Sequence, residues 1–178
     1  MLTIFGNLKI NSEAKLQYLK DSFFSFSEIS DDWLINIRGD FRSEAILFLK
    51  EKLKDKAHFF ELLDDARGWT VNASEMLPRA KYDYVLVWLE DHMNIAPQSI
   101  YEDIINEMRV GGVEYTPYSW WFTGKIRKNF DIQKSKNLDI VYLTKEKWAP
   151  FSAVGENNYL IQLTGIFSKV FFEKLLKK

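Results

Sequence analysis

The sequence predicts an α/β domain with a mostly parallel central sheet flanked by helices. Two observations carry this. Over the first 110 residues, short apolar runs alternate with segments whose apolar residues recur three or four apart, the pattern of strand–helix–strand units. In addition, Tyr84-Val85-Leu86-Val87-Trp88-Leu89 is apolar throughout, as a strand buried on both faces must be.

The elements follow in order. Leu2 to Leu8 reads as the first strand. Ser12 is a suitable N-cap for a helix whose Leu16, Leu19, Phe23 and Phe26 fall on one side. Trp33 to Ile37 is a second strand, and Ser43 to Leu53 a helix carrying Ala45, Ile46, Leu49 and Leu53. His58 to Leu63 is a third strand. Thr70 to Ala80 is helical with an irregular end at Pro78. Tyr84 to Leu89 is the fourth strand, and Ser99 to Met108 the next helix. After Gly111-Gly112 the pattern loosens: Val113 to Tyr115, Ile140 to Leu143 and Tyr159 to Leu163 read as strands, and Ser168 to Leu176 as the last helix.

Composition fits one soluble domain. The chain has 178 residues, 47% hydrophobic and 28% charged, enough for a single sizeable core. Aromatics reach 16%, which suits a bulky core, a ring-stacking surface, or both. A net charge of -1 without a basic run argues against nucleic acid as the partner. Lys174, Lys177 and Lys178 suit a solvated helix end. The absence of cysteine removes disulfides, thiolate catalysis and cysteine-ligated metal. No secretion signal and no transmembrane segment is visible, so the cytoplasm is the expected location. Nothing in the sequence addresses oligomeric state.

Three predicted strands end in polar clusters: Arg38-Gly39-Asp40, Asp64-Asp65-Ala66-Arg67-Gly68 and Glu90-Asp91-His92. Parallel strands would set all three along one rim, where open α/β sheets bind ligands. Each also has a plainer reading. Gly39 can supply an unusual backbone angle for a turn, Asp64-Asp65 can cap a helix, and His92 can be an exposed turn residue. Two carboxylates and an imidazole after so apolar a strand are a candidate divalent-metal site. Gly6-Asn7 lacks the Gly-x-Gly-x-x-Gly fingerprint, and no P-loop occurs.

The stretch from Arg67-Gly68-Trp69-Thr70 through Val85-Leu86-Val87-Trp88-Leu89-Glu90-Asp91 resembles the centre of GT-A-fold glycosyltransferases of family-2 type. There an Arg/Gly-containing segment and a short helix lead into a strand ending in an acidic DxD-type motif. The resemblance implies a metal-dependent glycosyltransferase with a nucleoside-diphosphate sugar donor, an unidentified acceptor, and Mn2+ or Mg2+ bridging the phosphates. It makes Asp91 the metal ligand, supported by Glu90 and His92. It sets Arg38, Asp40, Asp65 and Arg67 near the nucleotide, and Gly6 and Asn7 beneath it. Residues 1–110 would be the nucleotide-binding half and 111–178 the acceptor-side half, with Trp120 of the aromatic stretch Tyr115 to Trp121 lining the acceptor. A bound cation would neutralise the charge growing on the leaving diphosphate.

The chain departs from the family pattern in having Glu-Asp-His for Asp-x-Asp and Arg-Gly-Asp after the second strand. The catalytic base stays open among Asp131, Asp139, Glu146 and Glu156. Two other readings compete. One is an S-adenosylmethionine-dependent methyltransferase, suggested by Tyr82 to Val85 followed by Met108-Arg109-Val110-Gly111-Gly112, though without a Gly-rich first loop. The other is a non-catalytic GT-A-like domain that binds a nucleotide or a partner.

Overall fold

The computed structural model describes residues 1–117, 130–152 and 163–177. Four parallel strands form its centre: β1 (Thr3–Lys9), β2 (Trp33–Arg38), β3 (Ala57–Phe60) and β4 (Tyr84–Val87). Helices α1 (Glu13–Phe26), α2 (Arg42–Leu53) and α3 (Trp69–Met76) connect them. Then come α4 (Gln98–Gly111), β5 (Tyr115–Pro117), a two-stranded ribbon of β6 (Gln133–Lys134) and β7 (Asp139–Ile140), and α5 (Lys145–Ser152). The described chain closes with β8 (Gly165–Ser168) and α6 (Lys169–Leu176).

The main sheet has the order β3-β2-β1-β4-β8-β5, and β8 runs antiparallel to both of its neighbours. Side chains alternate across the strands, and both faces are covered. Ile4, Leu8, Trp33, Ile35, Ile37, Leu86 and Trp88 pack with α1, α2 and α4 on one face. Phe5, Leu34, Val85, Val87 and Phe167 pack with α3 and α6 on the other. This is the physical reason that β1, β2 and β4 read as continuous apolar runs.

Several boundaries move for identifiable reasons. Ser12 caps α1 as expected, its hydroxyl accepting from the Lys15 amide at 3.3 Å. β3 stops at Phe60 rather than Leu63. The side-chain amide of Asn36 takes both backbone groups of Leu62, each at 3.1 Å, in place of the strand ladder. Pro78 falls in a 3-10 turn (Leu77–Arg79) that ends α3. β4 ends at Val87, and one further bond, Trp88 N to Phe5 O at 2.9 Å, closes the ladder before the chain turns away.

The second half differs more. β5 lies two residues beyond the predicted Val113 to Tyr115, and β7 holds only Asp139–Ile140 of the region expected to run to Leu143. Helix α5 was not anticipated. The predicted strand Tyr159 to Leu163 lies outside the described residues except for Leu163, which is in a bend. The strand that does enter the sheet, β8, starts at Gly165, where a Cβ would come within 2.6 Å of the Tyr115 ring. Only glycine permits that approach. Ser168 then caps α6 as expected, accepting from the Phe171 amide at 3.2 Å.

Candidate functional site

The parallel strands share one carboxyl rim. The chain lays β2 and β3 on one side of β1 and then crosses back to add β4 on the other, so the strand order reverses between β1 and β4. Open α/β sheets bind ligands at such a switch point. All three polar clusters of the sequence lie on this rim, each just after a strand.

The first two clusters are joined through Asp65. Its carboxylate takes Arg38 Nη1 at 2.7 Å on one oxygen and the Lys9 ammonium on the other. Arg38 is largely buried, and its Nε has no protein partner among the described residues. Gly39 has φ +97°, and a Cβ there would overlap the Ile10 carbonyl. The loop after β2 therefore lies flat against the end of β1, held by the bonds Ile10 N to Arg38 O at 2.8 Å and Phe41 N to Ile10 O at 3.0 Å. Asp40 is exposed at its tip. Asp64 caps the short turn Asp65–Arg67, accepting from Ala66 N at 2.8 Å. Arg67 turns along the surface to Glu75 of α3 at 2.6 Å.

Gly6 and Asn7 lie within the sheet rather than at an open surface. A Cβ on Gly6 would meet the Trp88 ring at 3.0 Å and Ile35 Cδ1 at 3.3 Å, so this glycine makes room for the tryptophan. Asn7 is buried in a polar ladder: it donates to Trp69 O at 3.1 Å, accepts from Asn36 Nδ2 at 3.0 Å, and its backbone carbonyl takes Trp69 Nε1 at 3.0 Å. The ladder ties β1 and β2 to the start of α3 and sets the floor of the rim.

The acidic turn after β4 is pegged to α1. The buried Ser22 hydroxyl accepts the Trp88 indole N–H at 2.8 Å and lies within hydrogen-bonding reach of the carbonyls of His92 and, at 3.4 Å, Leu89. Asn94 is held by Ser25 through two bonds of 2.9 Å. The three polar residues of the turn then part company. Glu90 keeps only 13% of its side chain exposed and pairs with Lys15 at 2.8 Å. Asp91 is 62% exposed and meets His92 Nδ1 at 2.8 Å. Among the described residues no three His, Cys, Asp or Glu side chains gather as a metal cage. The ligand set expected from the sequence is thus divided, with Glu90 turned to a lysine and Asp91 beside His92.

Lys9, Lys15, Ser22 and Asn36 are rim or support residues that sequence reasoning does not single out. Lys9 ends β1 and Lys15 lies three residues after the Ser12 cap, so both positions follow from the first strand and its helix. Nothing in the sequence points to Ser22, whose hydroxyl has its partners 66 or more residues away.

Trp120 lies outside the described residues, as does Glu156. Tyr115, from the same aromatic stretch, packs on Phe167 with ring centroids 4.7 Å apart, which makes it a sheet-packing residue. Asp131 is fully exposed and 3.8 Å from Lys147, and Glu146 lies in the first turn of α5. Neither carries a described contact with the rim.

The hydrogen bond from Lys9 holds the Asp65 carboxyl below the usual carboxylate range, with the charges of Lys9 and Arg38 adding to it. A depressed pKa contributes stability that is present above the unfolded value of about 3.9 and is lost as pH falls through the folded value. Asp65→Asn is therefore expected to flatten the acid limb of the stability–pH curve below about pH 4, with little change at pH 7 beyond the lost pairs. Urea unfolding midpoints measured from about pH 2.5 to about pH 7 would check this. An unchanged acid limb would refute the assignment.

No family model matches the sequence, and no curated protein sequence does either. Solved structures do share the fold. One is S. aureus TarS 1–349, with a TM-score of 0.55 and 10% identity over 98% of this chain and 49% of that one. The same protein in complex with UDP-GlcNAc matches with a TM-score of 0.51 and 12% identity, over 98% and 47% of the two chains. The 4-diphosphocytidyl-2C-methyl-D-erythritol synthase from Anaerococcus prevotii matches with a TM-score of 0.51 and 15% identity, over 99% and 76%. The chain spans about half the length of the TarS structure. It has a nucleotide-diphospho-sugar transferase-like fold, which the sequence resemblance implied. No helix among the described residues is long and apolar enough to cross a membrane.

Proposed function

We propose that this domain binds a nucleoside-diphosphate sugar at the β1–β4 switch point and takes part in transfer of the sugar to an acceptor. The observation that supports this most is the set of three cationic side chains on the rim, Lys9 and Arg38 sharing the Asp65 carboxylate and Lys15 paired with Glu90. A diphosphate offers Lys9 and Lys15 a stronger anionic partner than a single carboxylate does. The N-terminus of the 14-residue α1 opens beside them and adds the positive end of its dipole. The fold is also that of a protein crystallised with UDP and with UDP-GlcNAc.

In this reading Asp65, Arg38 and Asp40 face the base and ribose, and Lys15 faces the diphosphate. Arg67 reaches the nucleotide only if it leaves Glu75. Asp91, with His92 beside it, is the group left to hold Mn2+ or Mg2+. One carboxylate together with substrate phosphates is a common way to hold Mg2+, so the arrangement fits a cation that arrives with the donor. Such a cation would neutralise the leaving diphosphate. The chain's own contribution is to orient: Ser22 and Trp88 fix the turn that presents Asp91, and Lys15 supplies a charge that does not depend on metal.

Nucleotidyl transfer is a second reading, favoured by the larger share of the Anaerococcus prevotii synthase that this chain covers. Product analysis separates the two. Incubation with UDP-, GDP- and CDP-sugars is expected to release nucleoside diphosphate, detected by a coupled assay. Pyrophosphate released from a nucleoside triphosphate and a sugar phosphate would instead support nucleotidyl transfer. Neither product under any condition would leave a non-catalytic binding domain.

A further inference from the structure

Beside Asp91 a shallow cleft of about 550 Å³ opens between α1 and the loop after β4, lined by Tyr18, Asp21, Phe24, Asp91 and Met93. Its size lies within the range of small-molecule sites, about 300–1,000 Å³. Tyr18, Phe24 and Met93 are 54%, 61% and 61% exposed, an unusual concentration of large apolar side chains in water. Tyr18, Asp21 and Phe24 follow one another at three-residue steps on α1, so a carboxylate stands between two rings, and the Phe24 ring also meets Phe23 and Phe48 edge-on. Asp21 accepts from Gln17 at 2.8 Å and Asp91 meets His92, and each keeps one oxygen without a protein partner among the described residues. The nearby lysines of α1 are engaged elsewhere, Lys20 over the Phe48 ring and Lys15 on Glu90.

We infer that this cleft is a saccharide-binding subsite that seats the acceptor next to Asp91. A sugar ring has apolar C–H faces that stack on aromatic rings and a rim of hydroxyls that donate to carboxylates. The alternation of ring and carboxylate along α1 matches both. Tyr18 and Phe24 are about 9 Å apart along the helix axis, which suits two successive sugar units. A lone ammonium group could satisfy the carboxylates but would not span the two rings. An apolar helix docked here would bury the remaining carboxylate oxygens of Asp21 and Asp91 without a hydrogen-bond donor, which is costly. A phosphate backbone would be repelled by both. The acceptor role rests on the glycosyl-transfer reading, whereas saccharide binding by the cleft does not.

The test is a saturation-transfer NMR screen of the full chain against gluco-, galacto-, manno- and N-acetylglucosamine di- to tetrasaccharides, with choline as the cationic comparison. One saccharide series is expected to bind. Tyr18→Ala and Phe24→Ala, both at exposed positions, are each expected to weaken it by roughly tenfold while the thermal shift produced by UDP persists. No saccharide binding, undiminished binding when Tyr18→Ala and Phe24→Ala are combined, or capture of choline alone would overturn the subsite. Ring-dependent saccharide binding in a protein that shows no UDP shift would keep the subsite and remove its acceptor role, which separates failure of the cleft from failure of the functional reading.

Discussion

Trp88→Ala is expected to destabilise the fold by about 3–5 kcal/mol, the usual cost of truncating a fully buried aromatic residue. Trp88 has no exposed surface, crosses Trp33 edge-on at 5.3 Å and 82°, and occupies the space that Gly6 leaves open. Its indole N–H is also bonded to Ser22, which pegs the acidic turn. Truncation therefore opens a cavity between β1 and α1 and loosens the presentation of Asp91 in one step. Trp88→Phe separates the two effects: it keeps most of the packing and removes the bond to Ser22, worth about 1 kcal/mol. Urea unfolding with both variants would check this. A loss below about 1.5 kcal/mol for Trp88→Ala would mean that the site collapses around the gap and that Trp88 is not the pivot between sheet and turn.

The second large effect is ligand stabilisation. A nucleoside diphosphate at a hundredfold excess over its Kd would add about 2.7 kcal/mol of stability if it binds only the folded chain. For a domain of this size that is roughly 5–10 °C in Tm. Mn2+ is expected to enlarge the shift. Asp91→Asn should cancel the metal-dependent increment and leave the metal-free shift, whereas Lys15→Gln should reduce the shift in both conditions, because Lys15 acts without the ion. The two variants thus assign the two sources of positive charge separately. The absence of a shift with UDP, GDP, CDP and dTDP, each with and without Mn2+, would count against the whole nucleotide-binding reading.

Much of the first half was legible because it obeys local rules. The Ser12 cap, the three-and-four spacing of Leu16, Leu19, Phe23 and Phe26, and the apolar runs of β1, β2 and β4 each state an element directly. The second half was less legible. β5 and β8 have three and four residues, too few to show a period, and β8 is a strand by virtue of its neighbours β4 and β5. Asn36 ends β3 through a side-chain amide, an event no pattern of apolar residues announces.

The candidate site divides the same way. Its position after the strands, and the residue types gathered there, came from the sequence, since polar residues following a doubly buried strand mark a rim. Which of them face one another did not. Glu90, Asp91 and His92 are adjacent in the chain, yet the turn sends Glu90 to Lys15 and leaves Asp91 with His92. Gly6 proved to be space for Trp88, and Asn7 a buried tie between strands. The sequence by itself determined the fold class and the edge of the sheet where the polar clusters gather, because burial periodicity is written residue by residue. Only the tertiary structure decided the partners of each charge, because side-chain direction at a strand end depends on groups far away in the chain: the Ser22 hydroxyl on α1 sets the turn after β4, and the Lys9 and Arg38 cations set the orientation of Asp65.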